Sequence, residues 1–293
     1  MGTHMTQKIF MEGISMNHSK IISVSNQKGG VGKTTTALNL GVALASENRR
    51  ILLVDNDPQG NLTAALGYTP GEQKYTLSKL LLTMIDSPED IALHIPRSVI
   101  HTVNGVDLIP ANGRLADAAA RLQILQLSQL SANYFPEEHL ACEKIMAALL
   151  SPLRKEYDFI IIDCGLKHEL LTINALSASD YCIIPVQAHF LASEGIPDVL
   201  TLVKSVRQRF NPHLEVAGIL LTMYQSRPQL CKSVRESVAE VYGEKYHVFE
   251  RPIEQTIRVA ECPAAGKSIL EYEPQNPAAE SYRNLAQEVL RLG

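Results

Sequence analysis

From Lys20 onward, short uninterrupted apolar runs alternate with longer stretches in which apolar residues recur at helical spacing. "KIISVSN" at 20–26 is one such run, rich in β-branched residues. "TTTALNLGVALASEN" at 34–48 has the helical spacing, and "RRILLVDND" at 49–57 returns to the character of a buried strand. "YDFIIIDC" (157–164), "DYCIIPVQ" (180–187) and "VAGILLTMY" (216–224) repeat the form, with helical stretches between them. Strands that are apolar on both sides and alternate with helices predict an α/β fold. The expected arrangement is a three-layer, doubly wound, mostly parallel sheet covered on both faces.

The stretch from Thr76 to Glu156 is less regular. "VDLIPAN" (106–112) reads as a strand, "LADAAARLQILQLSQL" (115–130) as a helix and Asn133 to Glu138 as a loop, and an insertion or cap is one reading of the whole stretch. No internal repeat or low-complexity segment breaks the order, so a single domain over 20–293 is expected. Residues 1–19 form a tail outside it, in which "MGTHM" reads as a cloning remnant and Met5, Met11 and Met16 as alternative native starts.

Composition narrows the classes. A net charge of −4 and a pI near 6.1 exclude a chain that coats nucleic acid through its overall charge, so any such binding needs a local patch. The five cysteines (Cys142, Cys164, Cys182, Cys231, Cys262) are dispersed and form no CxxC pair, which points to a reducing, cytoplasmic setting. No apolar run approaches the roughly 18 residues that a membrane span needs.

The chemistry gathers in "NQKGGVGKTTT" (26–36), between a predicted strand and a predicted helix. Backbone N–H groups converging at a helix N-terminus bind a phosphate chain well. Glycines let such a loop wrap closely, a lysine neutralises the outer phosphates and a Thr hydroxyl ligates Mg2+. Gly29, Gly30, Gly32, Lys33 and Thr34 supply these parts, with Lys28, Val31 and Thr35 completing the binding segment. The strict G-x-x-x-x-G-K-[ST] form fails, because Gln27 stands where its first glycine belongs. Lys28 is surplus within its own loop. A second lysine there suits a role across a subunit interface, neutralising transition-state charge on another protomer's nucleotide as an arginine finger does.

"KGGVGKTT", "ILLVDNDPQGNLT" and "DFIIID" together resemble the deviant Walker A ATPases of the ParA/MinD superfamily, and most closely the ParA/Soj-type partition ATPases. The resemblance runs from about Lys20 to Leu292 and is weakest between Thr76 and Glu156. It implies a P-loop domain of the SIMIBI type that hydrolyses ATP with Mg2+, weakly unless stimulated, and forms an ATP-sandwich dimer in which Lys28 crosses the interface. It also implies catalytic roles for Lys28, Lys33 and Asp57, with Asp57 positioning the attacking water. Asp163 then takes the Walker B place, holding Mg2+ through water, so the implied metal set is Thr34, Asp57 and Asp163. Asp55 reads as a group behind the metal or as a structural one. Family geometry puts the end of "GILLTMY", and so Met223, near the adenine.

The sequence departs from the family after Asp163, where a Pro-Pro-Ser type switch II is usual and "CGLKHELL" stands instead. Lys167 and His168 are either contacts to the γ-phosphate or a partner, or exposed loop residues. Cys164 reads as buried and structural.

The resemblance further implies ATP-dependent, non-specific binding to double-stranded DNA and localisation on the nucleoid. The cationic candidates are Lys204, Arg207 and Arg209, then Arg227, Lys232 and Arg235, and Arg258. Glu236, Glu240 and Glu254 interleave with them, so a patch is expected only when two protomers combine, and each residue has an alternative reading as part of a solvated helix face. The absence of tryptophan and of aromatic–basic alternation argues against base stacking. The segment before the glycine loop is too short for a helix-turn-helix domain, so sequence-specific recognition would fall to a ParB-like partner. A MinD-like membrane ATPase would need a strongly basic amphipathic tail, whereas "AAESYRNLAQEVLRLG" carries only two arginines and reads as a docked terminal helix. A nucleotide-gated binding module with little hydrolysis is the alternative that the altered switch II suggests.

Overall fold

The computed structural model of the protein describes residues 19–129, 140–166, 168–188, 195–225 and 229–292. Seven strands form one sheet: β1 Lys20–Val24, β2 Ile51–Asn56, β3 Ile100–His101, β4 Asp107–Ile109, β5 Phe159–Cys164, β6 Tyr181–Gln187 and β7 Glu215–Thr222. Their order is β3-β4-β2-β5-β1-β6-β7, and every pairing is parallel except β3 with β4. In chain order the helices are α1 Lys33–Ser46, α2 Asn61–Ala65, α3 Leu77–Asp86, α4 Ile91–Ser98, α5 Leu115–Gln129 and α6 Ile145–Leu150. They continue with α7 Glu169–Ala178, α8 Ile196–Arg209, α9 Gln229–Tyr242, α10 Ile257–Glu261, α11 Ile269–Tyr272 and α12 Pro277–Leu290.

The continuous apolar runs have a simple cause. Successive strand residues point to opposite faces, and here both faces are covered. Ile22, Val24, Leu53 and Ile161 pack into a core with α1 and α12, whereas Ile21, Leu52, Val54, Ile160 and Ile162 pack into a second core with α3, α5, α6 and α7. On that second side, Cys182, Ile184 and Leu221 continue the packing under α8 and α9. The terminal helix α12 is docked, with Tyr282, Leu285, Ala286 and Val289 buried against α1.

Two expectations change in detail. The stretch 76–156 supplies α3, α5 and α6 to the second core and β4 to the sheet, so it builds part of one layer of the fold. The loop expected around Asn133 to Glu138 lies outside the described residues. The strand read as "VAGILLTMY" ends at Thr222, because Met223 takes a left-handed backbone (φ 52°) that breaks the ladder.

Pro185 sits inside β6, between β1 and β7, where proline is unusual. The β1–β6 register stops at Val24 opposite Ile183. Beyond it the Pro185 carbonyl faces the Asn26 side chain, whose Nδ2 donates to it at 2.8 Å. With no N–H to offer at 185, the β1–β6 ladder does not continue past this point, and the chain leaves β1 into the glycine loop.

Candidate nucleotide-binding site

The chain after β1 moves out to β2 on one side, while β6 flanks β1 on the other, so the crevice at the C-terminal ends of β1, β2 and β5 is a topological switch point. Register places two of the singled-out positions there: Asp163 is opposite Asp55, and on its other side it is opposite Val24 at the end of β1. Gly30 (φ 71°) and Gly32 (φ 83°) take left-handed backbone that a β-carbon disfavours, and Gly32 caps α1, its carbonyl accepting from the Thr36 N–H at 2.8 Å. Gly29, Val31, Thr34 and Thr35 lie in this same loop and first helical turn.

The loop is braced from within and by strands distant in sequence. Ser25 N–H donates to the Ile183 carbonyl (3.1 Å), Lys28 N–H to Asn26 Oδ1 (2.9 Å), and Thr222 Oγ1 to the Val31 carbonyl (2.9 Å). Met223 follows Thr222 directly, so the structure brings it beside the loop.

Lys33 is buried, and its Nζ donates to the Lys28 carbonyl at 3.0 Å. Burial lowers its pKa, while the Asp163 carboxylate, then Cys164 and Asp57, act to raise it. Asp163 is 1% exposed, and neither carboxylate oxygen has a partner at hydrogen-bonding geometry among the described residues. Burial, followed by the neighbouring Asp55 charge, raises the Asp163 pKa well above the usual range, with the Thr34 hydroxyl and the Lys33 ammonium acting in the opposite sense. A buried carboxylate left unsatisfied beside a Thr hydroxyl and a lysine is a donor set that fits a hard divalent cation such as Mg2+.

Asp55 is satisfied by the protein itself. Its Oδ2 accepts from the Thr63 N–H (2.8 Å) and Oγ1 (2.6 Å), and its Oδ1 from the Asp57 N–H (3.3 Å), while burial pushes its pKa up to about 6. These bonds tie β2 to α2 and to the turn carrying Asp57. Asp57 is half-buried, and its Oδ1 accepts from the Gln59 N–H at 3.0 Å. Lys28 is half-buried at the loop mouth. Cys164 is buried, with its thiol pushed up to about 12 by burial and by Asp163. His168 precedes α7 without capping it through its side chain, and Lys167 lies outside the described residues.

The cationic candidates are not brought together. Lys204, Arg207 and Arg209 are exposed on α8, and Lys232 and Arg235 on α9, over the second face of the sheet. Arg235 donates to the Glu250 carbonyl at 3.0 Å. Arg258 is exposed on α10, which packs with the first face through Val259, and it pairs with Glu261 (2.8 Å) and Glu273 (3.4 Å). Arg227 lies outside the described residues. Among those residues no helix is long and apolar enough to cross a membrane.

Sequence reasoning did not find Asn26, Thr63 or Thr222. Asn26 and Thr222 act across elements remote in sequence, and Thr63 acts back on the strand before its own helix, so no local pattern announces them; only the position of Asn26 directly after β1 offered a hint.

Residues 19–216 match the AAA domain family. The chain is 39% identical to the sporulation initiation inhibitor protein Soj of Bacillus subtilis, covering 94% of this chain and 99% of that one. It is 35% identical to the chromosome partitioning protein ParA of Caulobacter vibrioides, over 94% of this chain and 96% of the other. Among solved structures, a Mycobacterium smegmatis protein described as cobyrinic acid a,c-diamide synthase with bound ADP and magnesium superposes with a TM-score of 0.75 at 32% identity, covering 93% of this chain and 94% of that one. With a seven-stranded P-loop fold and these relatives along nearly its full length, the chain belongs to the ParA/Soj family of P-loop ATPases.

Proposed function

We propose that the protein is an ATP-gated dimer switch that binds DNA without sequence preference and hydrolyses ATP to release it, moving or positioning plasmid or chromosomal cargo. The observation that carries this reading is the buried, unsatisfied Asp163 carboxylate beside Thr34 and the inward-turned Lys33, in a loop with a second lysine at its mouth. The ATP phosphates would lie against the amides of Gly29 to Thr35, at the α1 N-terminus, with Lys33 exchanging its bond to the Lys28 carbonyl for phosphate oxygens. Thr34 and Asp163, with Asp57 nearby, would hold Mg2+, which supplies charge neutralisation across the β- and γ-phosphates. Asp57 positions the attacking water, and Lys28 serves the nucleotide of the partner protomer. Phosphoryl transfer needs little beyond such positioning and neutralisation. Met223 flanks the adenine. Bound ADP and magnesium in the M. smegmatis structure support the ligand pair. The diamide synthase reaction in that title is a separate chemistry that a shared fold does not transfer.

DNA contact falls to Lys204, Arg207, Arg227, Lys232, Arg235 and Arg258, aligned only across a dimer, and the cargo is recognised by a ParB-like protein. The setting is the cytoplasm, on the nucleoid. Sedimentation with no nucleotide, ADP, and ATP with Mg2+ tests the core of this reading. Only ATP should give a dimer, and Lys28→Ala should bind ATP yet stay monomeric or fail to hydrolyse; a dimer indifferent to nucleotide contradicts it.

The departure at Gly165 to His168 favours a second reading, a binding module with negligible turnover. It stands if DNA and partner never raise turnover above that of Asp57→Ala.

A further inference from the structure

The apolar side chains on either side of switch II are buried: Cys164 and Leu171 are 1% exposed and Leu170 is 7% exposed. Leu166, between them, is 46% exposed. Its place in the chain is set from both ends. Cys164 pairs with Asn56 in the ladder and Gly165 N–H donates to the Asn56 carbonyl at 3.2 Å, while α7 begins three residues on, at Glu169. The side chain lies on the phosphate loop, since Leu166 Cδ1 is 3.4 Å from where a β-carbon of Gly29 would stand.

A single exposed leucine on an outer helix needs no explanation. This one stands at a site otherwise built from backbone amides and charges. Gly29 directly follows Lys28, which is half-buried at the same mouth, and the loop's own apolar residue, Val31, is buried at 1% exposure. Phosphate oxygens gain nothing from leucine methyl groups, so bound nucleotide does not account for the exposed face. A protein surface laid over the loop mouth does, because it takes that face out of water.

We infer that Leu166 is an apolar anchor of the contact between two copies of this chain, covered when the loop mouths of two protomers meet. The inference rests on the proposed reading that Lys28 serves the nucleotide of a partner protomer: a contact that carries Lys28 across also lies over the side chain resting on the next residue of the loop. In a two-fold contact each copy contributes the same leucine, so one substitution acts twice. Excluding water there also strengthens the field of the Lys28 charge. The Pro-Pro-Ser pattern of the family likewise has an apolar residue at this position, so leucine extends the reach of the anchor without changing its nature.

The test is sedimentation of the parent, Leu166→Ser and Leu166→Met with Mg2+ and a non-hydrolysable ATP analogue, beside the ADP affinity of each monomer. Leu166→Ser removes about half a leucine of covered surface from each copy, so the dimer dissociation constant should rise by on the order of tenfold to 100-fold. Leu166→Met keeps the apolar volume and should stay within about threefold of the parent, and ADP affinity should change by less than about twofold in both variants. A parental dimer in Leu166→Ser overturns the inference, because the leucine then meets no second copy. A Leu166→Ser protein that fails to fold, or whose ADP affinity falls as far as its dimerisation, also overturns it, because the leucine then serves only its own protomer. A parent that stays monomeric with the analogue contradicts the dimer reading itself and this inference with it, an outcome distinct from a parental dimer that Leu166→Ser leaves intact.

Discussion

Asp163 and Lys33 share surroundings that favour neither charge: burial raises the pKa of the one and lowers that of the other. Asp55, opposite Asp163 in the ladder, is likewise pushed up, to about 6. Between the ordinary carboxylate pKa and these raised values the folded protein binds more protons than the unfolded chain, so its stability falls as pH rises through that window. At about 1.4 kcal/mol per pKa unit, the Asp55 shift alone amounts to roughly 3 kcal/mol. The Mg2+-free protein should therefore melt at a lower temperature near pH 7 than near pH 5, as read by scanning calorimetry. Asp163→Asn should raise the melting temperature at neutral pH and abolish the further rise that Mg2+ with ATP gives the parent. A variant no more stable than the parent would show that Asp163 is not strained by burial, and one that keeps the Mg2+ response would show that it is not a metal ligand. On the proposed reading, the cost of burying the site is retained because nucleotide binding uses it, a common trade between stability and activity.

At the scale of elements, the strands with apolar residues on both faces were legible because nothing in them has to be polar until the chain reaches the site. The glycine loop was legible for the converse reason, since its residue types have few other uses in that order between strand and helix. What stayed hidden depends on distant partners. The two-residue β3 is too short to show alternation, and Thr222 and Asn26 brace the loop from opposite ends of the chain. The stretch 76–156 looked irregular because it is divided among several helices of unequal length and short strands, so no one periodic run spans it. The terminal helix was readable as docked: Tyr282, 1% exposed, and its buried neighbours use up the apolar stripe that a membrane anchor would need. Tyr282→Ala should cost about 3–5 kcal/mol in denaturant unfolding while leaving nucleotide affinity of the folded protein unchanged. A loss under about 1 kcal/mol would mean that α12 packs on α1 without stabilising the core.

The whole molecule is mildly acidic, and its exposed cations sit over two faces of one sheet, with Arg258 already paired to Glu261 and Glu273. Among the described residues a single protomer thus lacks the concentrated positive surface that grips a phosphate backbone, whereas, on the proposed reading, two protomers held around nucleotide would align cations neither can align alone. On the proposed reading, DNA affinity is a readout of dimerisation, and the surface is tied to Lys28. The most direct measurement is binding to random-sequence duplex DNA without nucleotide, with ADP, and with ATP plus Mg2+, each at two salt concentrations, for the parent and for Lys28→Ala. The account predicts binding only with ATP and Mg2+, weakening steeply with salt and lost in Lys28→Ala. Binding that ignores nucleotide, or that survives in Lys28→Ala, would contradict it.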